Sequence, residues 1–270
     1  MADLKRLSFN QITVNSWTLE QAVAGCVRHG LRSIGLWRNK VDQMGLPIAV
    51  QLIRESGLAV SSLCRGGGFP AATPQERQER IEDNLRAIDE AEELGAPLLV
   101  LVCGAMTGRD LVGSRQMVMD GIAAIETHAR ERGIKLGIEP LHPMYTADRS
   151  VIVTLKQARE MASQFQAETV GVLIDVFHVW HDPDLYQEIE KTRGRIFGLH
   201  VSDWPVPLPD VLLGRTMMDD GVIELARIRR AVDAAGYEGP IEVEIFNQGI
   251  WDQPGDAVIE LMKRRFVECV

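Results

Sequence analysis

Carboxylates and imidazoles recur through the second half of this 270-residue chain, inside runs that are otherwise apolar. Glu139-Pro140-Leu141-His142 overlaps the run KLGIEPL, and Asp175-Val176-Phe177-His178 ends VGVLIDVFH. His200-Val201-Ser202-Asp203 ends IFGLHVSD, and Glu242-Val243-Glu244-Ile245-Phe246 lies in IEVEIF. An unpaired carboxylate in such surroundings is costly, and a shared cation offsets that cost most simply. A single such residue more often caps a helix or pairs with an arginine. Four in register favour one divalent metal. Three carboxylates with one neutral imidazole form a hard, oxygen-rich set that suits Mn²⁺ first, with Mg²⁺, Co²⁺ or Zn²⁺ also acceptable, and copper less so. In the last run Glu242 and Glu244 share a face under the two-residue strand period. Glu244 is the expected ligand because it lies nearer the end of the strand, with Glu242 a layer deeper and paired with a cation.

The elements that must position these residues are short strands alternating with segments of helical period. The strands expected from the sequence are Leu7 to Val14, Ser33 to Trp37, Ala59 to Arg65, Pro97 to Gly104, Lys135 to Leu141, Val170 to His178, Ile196 to Asp203 and Ile241 to Phe246. Gly30, Gly57, Gly95, Gly133 and Gly236 each stand between a charged helical stretch and the next strand, as a left-handed helix end requires. Eight units in 270 residues leave about 34 residues each, the size of a minimal strand-loop-helix element. A doubly wound open sheet has the same local pattern, but eight units favour an α/β fold that is a single (β/α)8 TIM barrel domain spanning residues 1–270. Catalytic groups in such barrels sit at the C-terminal ends of the strands, where the residues above fall.

Other residues gather at the same end. His142, His178 and His181 lie near it, whereas His29 and His128 fall in helical stretches and read as surface residues. All five tryptophans, Trp17, Trp37, Trp180, Trp204 and Trp251, lie at or just beyond a strand end, an arrangement that would line a sugar-binding cavity. Cys64 and Cys103 end strands three and four, where a thiol could touch substrate, although inert burial is the commoner fate. Arg65-Gly66-Gly67-Gly68-Phe69-Pro70 reads as a turn or lid, since it matches neither GxGxxG nor a Walker A sequence. Arg109 and Arg115 read as solvated, and no G-x-S-x-G elbow is present.

Composition excludes further classes. Lys and Arg number 29 against 38 Asp and Glu, a formal charge of −9 that gives no footprint for nucleic acid or anionic lipid. At 46% hydrophobic and 25% charged, the composition is that of a globular protein. No run is long and apolar enough to cross a membrane, and the start MADLKRLSFNQITV does not read as a signal peptide, so a cytoplasmic location is expected. The four cysteines form no CxxC pair, which suits free thiols in a reducing compartment.

Glu at the end of strand five, Asp-x-x-His on strand six, His-x-x-Asp on strand seven and Glu on strand eight together resemble the sugar phosphate isomerase/epimerase family. These are the xylose isomerase-like TIM barrels, which include ketose 3-epimerases and enzymes of inositol catabolism. The resemblance spans essentially the whole chain. It implies that Glu139, Asp175, His200 and Glu244 bind one divalent metal, and that His178 and Arg215, the latter in GRTMMDDGVIEL, contact substrate hydroxyls. The expected activity is a metal-dependent sugar isomerase or epimerase acting on a ketose or related keto-sugar through an enediolate, with Glu139 and Glu244 moving the proton. Trp37, Trp180 and Cys64 are the further residues expected to touch the sugar. The Glu-Pro-Leu-His-Pro segment is also similar to metal-dependent subunits of C-glycoside deglycosidases, which makes His142 a second candidate base. The alternative activity is therefore a metal-dependent lyase or decarboxylase on a 3-keto-glycoside or keto-sugar acid. A homo-oligomer would be ordinary for such a barrel. Where the family often has Gly-x-Gly after strand seven, Asp219-Asp220-Gly221 keeps only the second glycine.

Overall fold

The structure, a computed structural model, describes residues 4–270. Eight strands close into one parallel barrel in sequence order: β1 (Leu7–Asn10), β2 (Ser33–Trp37), β3 (Ala59–Gly67), β4 (Leu98–Val102), β5 (Lys135–Ile138), β6 (Val170–Asp175), β7 (Ile196–Val201) and β8 (Ile241–Val243), with β8 pairing back onto β1. Every joint from β1 to β8 contains helix, as the alternating pattern predicts. The five glycines expected at helix-to-strand joints all have positive φ, and Gly194 before β7 is a sixth that the sequence reading did not single out.

Several strands end earlier than their apolar runs, because a side chain at the boundary caps a turn. Asn10 ends β1 by accepting the Ile12 N–H at 3.2 Å, and Gln11–Val14 becomes a 3-10 turn. Asp175 ends β6 in the same way, accepting the Phe177 N–H at 2.9 Å, so Val176–Val179 is a short helix instead of strand. Beyond β8 the Thr13 hydroxyl replaces the ladder, donating to the Val243 carbonyl at 2.8 Å and accepting the Ile245 N–H at 3.1 Å.

Most of the apolar core lies in one cluster formed by strands and surrounding helices, and a second, separate cluster joins Cys64, Leu98, Val100 and Leu173, with Trp37 and Phe197 against it. Gly137 and Gly198 leave space for the Leu98 and Leu173 side chains, a large-against-small fit of the kind that fills a barrel. Among the described residues no helix is long and apolar enough to cross a membrane, and all four cysteines are free.

Trp17 is not a cavity residue. Its indole is wedged between the helices Leu19–Arg28 and Gly255–Cys269 where each presents a glycine: a Cβ on Gly25 or Gly255 would lie 2.3 or 2.2 Å from the ring. Gly25→Ala is therefore expected to lower stability by about 1–3 kcal/mol through overpacking, read as a fall in the urea midpoint. An unchanged midpoint would mean that the helix contact is looser than described.

Candidate metal centre

Strand ends bring the four expected ligands together. Glu139 and Glu244 are the first residues past β5 and β8, and both remain in register because their N–H groups donate to Leu101 and Val201 carbonyls at 3.1 and 3.0 Å. Asp175 is the last residue of β6 and His200 lies in β7. Glu139, Asp175, His200 and Glu244 are 5%, 0%, 1% and 4% exposed, and each offers a ligand atom within 4.8 Å of the others.

Arg215 already occupies part of this charge field. Its Nη1 donates to Asp175 Oδ2 at 2.7 Å and Glu244 Oε2 at 3.1 Å, and Nη2 reaches His178 Nε2 at 3.1 Å. The guanidinium carbon lies 4.7 and 5.2 Å from the Phe177 and Phe246 ring centres, so two aromatic faces hold the cation in place. Three carboxylates against one guanidinium leave a formal charge of −2, which a divalent ion would offset.

The residues present fit such an ion. His200 Nε2 lies 3.3 Å from Glu242 Oε2, and Nδ1 lies 3.6 Å from Glu244 Oε2. Both ring nitrogens are buried, and neither has a partner in hydrogen-bond geometry among the described residues. Burial opposes the charge of His200, but the charges of Glu242 and Glu244 hold the imidazole well above its usual range, so it is protonated without metal. An ion taking the place of the Nδ1 proton would leave the Nε2 proton facing Glu242, the usual arrangement of a carboxylate behind a ligating histidine. Glu242 thus lies deeper and pairs with an imidazole, as its place on the strand suggested. It also accepts from Asn10 Nδ2 at 2.8 Å, and Asn10 Oδ1 accepts from Trp37 Nε1 at 2.8 Å. Burial alone would raise the Glu242 carboxyl, but the charge of His200 and its hydrogen bonding draw it down to about 2. Gly35 makes room for it, since a Cβ there would lie 2.2 Å from Glu242 Oε2.

His178, 3% exposed, lines the cavity above these ligands. Burial first, and then the Arg215 charge, hold it well below the usual imidazole range, so it is neutral. With Nε2 accepting from Arg215, its proton lies on Nδ1, which is buried and unpartnered among the described residues. Trp37, Arg215, Glu139 and Glu244 also line this cavity of about 50 Å³.

Three expected contacts do not line it. His142 turns toward His181 and Trp204, with ring centres 4.4 and 5.3 Å away, and its Nδ1 accepts the Met144 N–H at 3.2 Å. Trp180 packs on Trp204 at 5.6 Å, and Cys64 is buried with Leu98, Val100 and Leu173. Trp204 and Trp251 are likewise absent from the lining, and Trp251 Nε1 donates to the Ile245 carbonyl at 3.1 Å. Sequence reasoning missed Asn10, Tyr145 and Leu212. A polar residue ending the apolar β1 run was the available signal for Asn10. Tyr145, whose hydroxyl donates to the Val211 carbonyl, and Leu212 line the cavity through loop packing that leaves no local trace.

The loop after β7 explains the altered glycine pattern. Asp203 accepts N–H groups from Trp204, Asp219 and Ile223 at 2.8, 2.9 and 3.0 Å, which makes it the organiser of that loop. Asp219 adopts φ 75° itself, a conformation aspartate tolerates, and its carboxylate takes Arg265 at 2.6 Å. At Gly221 no side chain fits, because a Cβ would lie 2.4 Å from Asp203 Oδ1.

The profile of the xylose isomerase-like TIM barrel family matches residues 23–265. The chain belongs to that family. A protein of known crystal structure from Sinorhizobium meliloti 1021 is 45% identical with a TM-score of 0.97, and the match covers 99% of each chain. The 3-dehydroshikimate dehydratase of Pseudomonas putida is 27% identical over 248 residues, 88% of this chain and 38% of that protein. The chain therefore spans well under half the length of that dehydratase. The inosose isomerase of Halalkalibacterium halodurans is 25% identical over 72% of this chain and 68% of that protein.

Two outcomes are expected for metal binding. Glu242→Gln removes the charge behind His200 and should weaken divalent-ion affinity by about 10–100-fold with the fold retained, as measured by chelator competition and circular dichroism. Unaltered affinity would dissociate Glu242 from the centre. Burial first, then the charges of Glu244 and Asp175, push the Glu139 carboxyl up to about 8. Without metal it therefore keeps its proton at neutral pH, and the ion must displace it. Affinity should rise with pH through neutrality, with more than one proton released per ion, one from Glu139 and one from His200, in titrations run in buffers of different ionisation enthalpy. A pH-independent affinity would remove this competition.

Proposed function

We propose that the chain is a divalent-metal-dependent sugar isomerase or epimerase that moves a proton on the carbon beside the carbonyl of a ketose or related keto-sugar. The observation that carries this reading is the pair Glu139 and Glu244, two carboxylates from strands three places apart around the barrel that line one cavity. An ion held by Glu139, Asp175, His200 and Glu244, with Mn²⁺ the first choice for this donor set, would supply positive charge that makes the C–H beside the carbonyl acidic. A substrate carbon between the two carboxylates could lose its proton to one and regain one from the other. Exchange on opposite faces inverts the centre, and return from the same side to the neighbouring carbon gives aldose-ketose exchange. His178 would orient a substrate oxygen through its unpartnered Nδ1–H, and Arg215 holds His178 in that tautomer while remaining a donor beside the reacting oxygens.

A second reading has specific support in the Pseudomonas dehydratase, which matches over most of this chain. The same proton abstraction, followed by loss of a hydroxyl from the next carbon as water, is a dehydration. It uses one carboxylate as base and returns a proton to the leaving oxygen. The lyase or decarboxylase with His142 as base draws less support, because that imidazole is turned away from the cavity.

Incubating the Mn²⁺-loaded protein in D₂O with a panel of ketoses and keto-polyols should place deuterium beside the carbonyl. Recovered ketose or its epimer bearing deuterium supports the first reading, and a product lighter by one water supports the second. Absence of both exchange and water loss across the panel would count against enolisation chemistry altogether.

A further inference from the structure

An outer groove of about 790 Å³ adjoins the cavity above the candidate metal ligands, and Arg65, Val102 and Arg149 line both. They form the neck between the two spaces, Arg65 within β3, Val102 at the end of β4 and Arg149 in the loop after β5. Two arginines at this one place stand out in a chain of net charge −9.

Neither has its positive charge well occupied. The Arg65 side chain is exposed and makes no ion pair or hydrogen bond among the described residues. Arg149 Nε is buried and has no hydrogen-bond partner among the described residues, the nearest carboxylate oxygen being Asp148 Oδ2 at 3.8 Å, and the guanidinium carbon lies 5.7 Å over the Tyr145 ring centre. Most other charged residues of the groove have partners of their own, Glu79 accepting only the Gln75 amide at 3.0 Å. Arg80 donates to the Gly68 carbonyl at 2.8 Å, Asp83 accepts from Arg38 at 2.9 Å, and Glu76 closes the capping box with Thr73.

A buried donor without an acceptor is unfavourable unless a ligand completes it, and guanidinium groups suit flat or tetrahedral oxyanions. The backbone at Arg149 is fixed: its N–H donates to the Tyr145 carbonyl at 2.9 Å, and its carbonyl accepts from Gly104 at 3.1 Å. The side chain therefore starts from a set backbone position beside the cavity that Glu139 and Glu244 also line.

We infer that the substrate carries an anionic group, a carboxylate or a phosphate, remote from its ketone, and that Arg65 and Arg149 hold this group at the neck. The inference rests on the proposed ketone chemistry for the reacting end of the molecule, but the neck is described independently of it. Arg65 and Arg149 are thus specificity residues, selecting acidic keto-sugars over neutral ones while the inner carboxylates act on the ketone.

Calorimetric titration of the Mn²⁺-loaded protein with D-fructose, D-fructuronate and D-fructose 6-phosphate tests this, since the three differ only in the group farthest from the ketone. At least one anion should bind about tenfold more tightly than fructose, and the ratio should fall to about twofold or less in the R65Q/R149Q double variant. The tighter anion identifies carboxylate or phosphate as the group. Equal binding of all three, or an advantage that survives the double substitution, overturns the inference and leaves the ketose reading standing. Binding of none counts against the ketose reading, and sulfate then decides the neck. Sulfate should raise the melting temperature of the wild type above that in chloride of equal ionic strength by more than it does for the double variant. An identical gain in both proteins overturns the arginine site.

Discussion

Three carboxylates converging at the buried end of one barrel are the constraint on which the rest of this structure depends. Each would be unfavourable alone in an apolar interior, and together they repel. The chain answers in layers. Arg215 lies between Asp175 and Glu244, His200 stands between Glu244 and Glu242, and Asn10 closes the far side of Glu242. What remains uncompensated is close to the charge of one divalent ion, and the donors that face inward are those such an ion uses.

This arrangement governs backbone as well as side chains. Asp175 uses one oxygen to stop β6 and start a helical turn and the other to hold Arg215, so strand termination and site assembly are one event. That turn also delivers Phe177 beneath the guanidinium and His178 to its Nη2. Arg215 is set from the opposite side, where Asn247 donates to its carbonyl at 2.8 Å. Gly35, on a strand with no charged residue of its own, contributes by having no side chain where Glu242 must lie.

The barrel and the convergence of the four candidate ligands were legible because both signals are local. Alternation of strand and helix marks the units, and an acidic residue at the end of an apolar run marks a place where burial and charge conflict. Orientation beyond the strand ends was not legible. His142 and His178 each stand three residues after a site carboxylate, Glu139 and Asp175, yet only His178 lines the cavity. The difference is the cap: Asp175 turns its chain into a helix that points His178 inward, whereas His142 itself caps the next turn through Nδ1 and swings its ring to His181 and Trp204. Four of the five tryptophans, all but Trp37, fall outside the cavity lining for a related reason. Trp17 sits in a slot made by glycines on two helices far apart in sequence, and such complementarity has no period to read.

The same separation between inner and outer parts of the site bears on substrate choice. On the proposed reading, a metal held beside Arg215 and His178 would act on any hydroxylated ketone that reaches it, which is consistent with the different reactions named for the isomerase and dehydratase relatives. Selection must then come from residues that the reacting carbons never touch. Here those are contributed by β3 and the loops after β5 and β7: Arg65 and Arg149 at the neck, with Tyr145 and Leu212 narrowing the cavity. None belongs to the charge network that stabilises the ligands, apart from Tyr145 lying edge-on to His178 at 5.5 Å. The neck can therefore change its chemistry without disturbing the compensation on which the inner site depends, so differences in substrate among such barrels should concentrate there.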